Sequence, residues 1–220
     1  MAVKVMTANE IVEFPMLKKV TCEMGWKPGK SGSSWDLDQS FIILDGCGKI
    51  LKDVSYMHPE KSEEFHFRGD NAGKDEEGKF SDEKISINFL KLPEHYHRIV
   101  VIMNIYEAIY KRQDLSMIKE MYLKFWDSKI EDIQVEVPIK INKKEYLDKT
   151  GMIVGEFYKE GGRWKFQAIE KAVSRVEAIS DMKSMIAKKY INQINSEKTW
   201  DEFLKEVCPE RSFFRRLLNF

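Results

Sequence analysis

The chain has 220 residues, 43% of them hydrophobic, and its 36 Lys and Arg balance 36 Asp and Glu. That length holds one large all-β domain with an appendage, or two small domains. Zero net charge disfavours a protein whose main work is gripping nucleic acid, so no nucleic acid is expected as a partner, because counterion release needs a basic excess. No apolar run approaches the roughly 18–20 residues that span a bilayer, and the N-terminus lacks a secretory-signal pattern. Cys22, Cys47 and Cys208 have no CxxC spacing, which fits a reducing cytoplasm better than a disulfide framework or a zinc site.

Residues 1–15 read as a weakly patterned lead-in ending at Pro15. From Lys18 to Ile169, short apolar runs recur between turn signals, which predicts a sandwich of roughly nine or ten strands. Val20 to Trp26 is the first strand, followed by a Pro-, Gly- and Ser-rich loop. Phe41 to Leu44 and Ile50 to Val54 flank Asp45, Gly46 and Gly48 as a hairpin, and Glu63 to Arg68 alternates around Phe65 and Phe67. Ile85, Ile87 and Phe89 continue the period of two, and His97 to Tyr106 has the unbroken apolar run of a central strand. Gln113 to Glu120 is a loop or one helical turn. Tyr122 to Trp126, Val135 to Ile141, Met152 to Tyr158 and Trp164 to Ile169 complete the strands.

Near Lys171 the period changes. Val173, Val176, Ile179, Met182, Met185, Ile186 and Tyr190 recur at three- and four-residue steps, which predicts an amphipathic helix. A short helix from Trp200 to Val207 stops near Pro209. These helices are expected to form an extension, 173–220, on a domain covering 1–172. The closing RSFFRRLLNF combines Arg with Phe and Leu; it suits docking on the sandwich, a partner protein or an anionic membrane surface.

Two segments carry candidate chemistry. In Trp35-Asp36-Leu37-Asp38, extended chain sends residues i and i+2 to one side, so Asp36 and Asp38 share a face while Leu37 packs inward. Residues 68–83 hold Asp70, Asn71, Asp75, Glu76, Glu77, Asp82 and Glu83 among three glycines. Such acids repel one another unless solvated or neutralised. Calcium, which takes six to eight oxygen ligands in flexible geometry, is the natural neutraliser, with magnesium second. A solvated turn is the other reading, since Asp and Asn favour turns for backbone reasons. The spacing is not that of an EF-hand. No nucleophile elbow, P-loop or dinucleotide fingerprint is present, and Ser33 and Ser34 lack an adjacent base, so neither catalysis nor an organic cofactor is expected.

Four collinear blocks, GWKPGKSGSSWDLDQSFIILDGCGKI, RGDN, HRIVVIMNIYEAIYKRQDL and GEFYKEGGRWKFQAIEKAV, resemble those of the tellurium-resistance (TerD) family over about residues 17–173. The resemblance implies an all-β, two-sheet β-sandwich, here with a C-terminal α-helical appendage, and calcium held at one end by carboxylate loops. By position it implies Asp36 and Asp38 as the Asp-x-Asp pair, and Asp70 and Asn71 as the Gly-Asp-Asn site with Gly73 offering a carbonyl. Asp75 and Glu76 stand where the family loop alternates differently, Asp82 and Glu83 match its last two acids, and Glu107 replaces its Asp. The function so implied is a calcium-binding stress-response protein of the tellurium-resistance type, working with other stress proteins by interaction. A metal-free adaptor in a membrane-associated stress complex is the alternative from another class, and a nucleotide or oxyanion binder is the third.

Overall fold

A strand buried on both faces needs apolar residues at every position, and one buried on a single face needs them at every second position. Both patterns occur in the computed structural model, which describes residues 3–14, 16–28, 35–68, 81–127, 134–191 and 198–207. The strands are β1 (Lys4–Val5), β2 (Ile11–Glu13), β3 (Lys19–Pro28), β4 (Leu37–Leu44), β5 (Ile50–Val54) and β6 (Phe65–Phe67). They continue with β7 (Ser81–Asn88), β8 (Arg98–Ile105), β9 (Ile118–Asp127), β10 (Gln134–Ile139), β11 (Lys149–Glu160) and β12 (Arg163–Ser174). Among the described residues these form two six-stranded sheets, ordered β1-β10-β9-β3-β7-β6 and β2-β12-β11-β8-β4-β5. The expected two-sheet sandwich is present.

Between the sheets lies an aromatic-rich core. Phe125 meets Phe14, Phe157 and Phe166 at ring-centroid distances of 5.9, 5.2 and 4.8 Å, each edge-on. Gly155 sits at a register shift in β11, where a Cβ would run into the Phe166 ring and the Gln167 carbonyl. The missing side chain is what lets β12 close there.

A second core covers the outer face of the β8-containing sheet. β4 alternates between the two: Leu37, Phe41 and Ile43 face the other sheet, whereas Ile42 and Leu44 face outward. β8 does the same, with Val100 and Ile102 outward. Helix α2 (Ile179–Tyr190) and helix α3 (Trp200–Val207) lie over this outer face, packing Met182, Ile186, Tyr190, Trp200 and Phe203 onto it. The unbroken apolar run of β8 therefore reports burial under two different layers. Asp181 starts α2 by accepting the Glu177 and Ala178 N–H groups at 3.0 and 3.2 Å; Thr199 and Glu202 cap α3 reciprocally, at 2.8 and 3.3 Å.

Three expectations are corrected. The lead-in carries two short strands: β1 pairs in parallel with β10, and β2 pairs with β12. More strands form than expected, since these two add to the rest. The helix begins at Ile179, because β12 runs to Ser174 and the expected boundary at 172 falls inside it. Val173 and Val176 shared the helical spacing because they join the same apolar layer from the strand and its connection. The closing 208–220 segment lies outside the described residues.

Candidate metal centre

Strand ends carrying the acidic residues meet at one pole. Leu37 opens β4 opposite Ile105, near the close of β8, and in the other sheet Trp26 near the end of β3 stands opposite Ser81 at the start of β7. Arg68 donates its N–H to the Lys84 carbonyl at 2.9 Å, so the chain leaves for 69–80 and returns at one strand end. The Gln39 N–H donates to Glu83 Oε2 at 2.6 Å and ties the two sheets together there. The flanks of both acid-rich segments are thus neighbours.

Period two separates Asp36 and Asp38 from Leu37, as expected. Asp38 is only 2% exposed, and its Oδ2 accepts from Asn104 Nδ2 at 3.2 Å, from the residue directly opposite in β8. Asn104 Oδ1 is buried and has no hydrogen-bond partner among the described residues. Asp36 continues the pairing, its carbonyl accepting the Tyr106 N–H at 2.8 Å. The Lys111 ammonium lies 4.0 Å from its carboxylate and 5.0 Å from the centre of the Tyr106 ring.

Glu107 has a φ of 55°, in the left-handed region, where it starts the short helix α1 (Ala108–Lys111). Asn9, Arg112, Asp148, Glu170 and Arg175 also have positive φ, so this conformation shapes the turn and does not by itself mark a site. The Glu107 carboxylate beside the Tyr106 hydroxyl is the main cause holding that hydroxyl above its ordinary pKa; burial adds to the shift, and Asp36 and Asp38 act in the same sense. Three carboxylates, from a strand entrance and a turn distant in sequence, bear on one phenol.

Asp82 and Glu83 part company. Glu83 points between the sheets, whereas Asp82 lies on the outer face in an ion pair of 2.5 Å with Lys84, which also meets Glu23 at 3.0 Å. Adjacent strand residues take opposite faces, so Asp82 is not brought to Asp36 and Asp38. Asp70, Asn71, Gly73, Asp75 and Glu76 lie outside the described residues. Among the described residues no three His, Cys, Asp or Glu side chains close on one point tightly enough to hold an ion. The pole offers part of an oxygen shell, and the oxygens present suit a hard cation: carboxylates and a buried amide oxygen, with Lys111 already near Asp36. Asn104 and Tyr106 are absent from the sequence-based candidates. Their signal was a lone amide interrupting an apolar strand opposite Asp38.

The TerD domain model matches residues 5–180. This chain belongs to the TerD family. It is 28% identical over 169 residues to the stress response protein SCP2 of Bacillus subtilis, covering 70% of this chain and 82% of that protein. It is also 28% identical over 160 residues to the tellurium resistance protein TerD of Serratia marcescens, covering 70% and 81%. A solved homologue of telluride resistance protein (TerD) from Streptomyces coelicolor shares the fold with a TM-score of 0.55 at 14% identity, covering 73% of this chain and 92% of that one. The TerD match reaches past β12 to the first turn of α2, so the boundary of the family lies beyond the resemblance seen in sequence blocks.

Proposed function

We propose that this TerD-family protein is a calcium-binding stress-response protein of the cytoplasm that acts by interaction and not by catalysis. The observation that carries the reading is the buried Asn104 oxygen, which has no hydrogen-bond partner among the described residues, on the residue opposite Asp38 at the entrance of β4. Asp36, Asp38 and Glu107 would supply charge and Asn104 a neutral oxygen, and the family resemblance adds Asp70, Asn71, Gly73, Asp75 and Glu76, outside the described residues, as further oxygens. The cation would supply charge neutralisation and a link between the two acid-rich segments. The names of the relatives support the stress role. Ile109 and Tyr110 on α1 and Met117 beyond it are exposed, and would offer apolar side chains to a partner in the stress response.

Calorimetric titration with calcium and with magnesium tests this. Saturable calcium binding is expected, with a stability gain of about 2.7 kcal/mol at a hundredfold excess over Kd. The D36N/D38N double variant should abolish both while its calcium-free melting temperature stays level or rises. Absence of heat and of any thermal shift in millimolar calcium would overturn the reading.

A further inference from the structure

Between the sheets, on the face of β4 that turns away from Asn104, polar atoms gather where packing alone would place apolar ones. We propose that Gln39, Trp26 and Trp35 hold ordered internal water there, beside the Glu83 carboxylate. The site lies inside the sandwich and does not rest on the calcium reading.

Parity places the members. Trp35, Leu37, Gln39, Phe41 and Ile43 fall on one side of the chain that enters and forms β4, and all but Gln39 belong to the apolar core between the sheets. Gln39 stands opposite Met103 of that core. It is 0% exposed, and neither its Nε2 nor its Oε1 has a hydrogen-bond partner among the described residues. Turning the amide over changes nothing, since both ends lack a partner. A methionine of similar size would fill the space without that cost, so packing does not account for the residue.

Across the gap, β7 brings Glu83 inward, where its Oε2 accepts the Gln39 N–H at 2.6 Å. Glu83 stands opposite Met24 in β3, and Trp26 is the next inward-facing residue of that strand. Diagonal neighbours of this kind lie about 7–8 Å apart, within reach of a long side chain. Trp26 and Trp35 are 0% and 2% exposed, and the Nε1 of each is buried without a partner among the described residues.

The donor set selects the ligand. An indole offers one N–H and a primary amide two, with the Gln39 oxygen as an acceptor. A cation would face those N–H groups, and an anion would face Glu83. An apolar molecule would leave all of them unpaired. Water meets both demands: it accepts from the indoles and the amide, and donates to Gln39 Oε1 and to the Glu83 carboxylate. Buried waters bind through about three such bonds, which this cluster supplies for about two molecules. Hydration also gives Glu83, 2% exposed, a polar surrounding inside an otherwise apolar layer.

The experiment is a pair of water-selective NOE and ROE spectra of the intact, isotope-labelled chain. A calcium chelator is present, so the outcome is separate from cation binding. The indole signals of Trp26 and Trp35, assigned with W26F and W35F, and the side-chain amide of Gln39 should each show a water cross-peak of opposite sign in the two spectra. Opposite signs mark water that stays in place while the protein tumbles, whereas proton exchange gives one sign in both. Q39M, which keeps the volume and removes the amide, should abolish the Trp26 cross-peak. A cross-peak missing at any of the three groups, the same sign in both spectra, or an unchanged Trp26 peak in Q39M would each overturn the proposal. The unaltered chain decides it alone should Q39M not fold.

Discussion

The outer face of one sheet carries a polar cluster at each end of the β4–β8 pair, and the two are built on opposite plans. Around Glu156, opposite charges and a hydroxyl meet under the helical layer, so the acid has its partners within the chain. Around Tyr106, the carboxylates of Asp36, Asp38 and Glu107 gather at a strand entrance and a left-handed turn, with the Lys111 ammonium 4.0 Å from Asp36. The first arrangement holds a helix down. The second stores repulsion that a cation can remove. On the proposed calcium reading, the contrast would separate buried charge that serves the fold from charge that serves a ligand.

Replacing Glu156 breaks the comparison hardest. E156A leaves Arg98 half-buried without its carboxylate and Tyr190 without its acceptor, and should cost about 3–4 kcal/mol in urea denaturation. The D36N/D38N variant, measured without calcium, should cost nothing. Equal losses at the two ends would erase the distinction.

The next largest effect is at Gly48, whose φ is 78° and where a Cβ would run into the Tyr190 carbonyl. G48A should cost about 2 kcal/mol or more through strain and displacement of the end of α2. Hydrogen exchange should quicken in α2 and leave β3 and β9 unchanged.

The smallest and most diagnostic effect is one of pH. The folded-state pKa of Lys189 falls to about 8 from an ordinary 10.5, so between these values the unfolded chain binds the extra proton. Stability then rises with pH from about 8 towards 10, before the tyrosines contribute, and the penalty is fully present below pH 8. K189M should remove this rise and melt higher than the unaltered chain at pH 7. A melting temperature flat in both proteins over that window would show that Lys189 reaches water.

Much of the sandwich was legible because alternation and turn chemistry are local. Phe65 and Phe67, or Trp164 and Phe166, declare their faces without reference to other strands. β1 and β2 were not legible, since two- and three-residue strands lack a period and exist only through their pairing. The start of α2 was misplaced because burial under a common layer imitates helical spacing, as Val173 and Val176 show. At the site, Asp36 and Asp38 could be read from parity alone. Asp82 could not be separated from Glu83 without knowing which face of β7 met the other sheet, and Asn104 became meaningful only when pairing set it opposite Asp38.

The layer formed by α2 and α3 also imposes an order on synthesis. Ile42, Leu44, Val100, Ile102 and Ile153 are complete long before Phe203 leaves the ribosome. A nascent chain that has closed its sandwich therefore still presents a flat greasy wall awaiting α2 and α3. Premature termination in that interval would yield a well-paired sheet that sticks to its own copies, so messages truncated there should give inclusion bodies instead of a smaller soluble product.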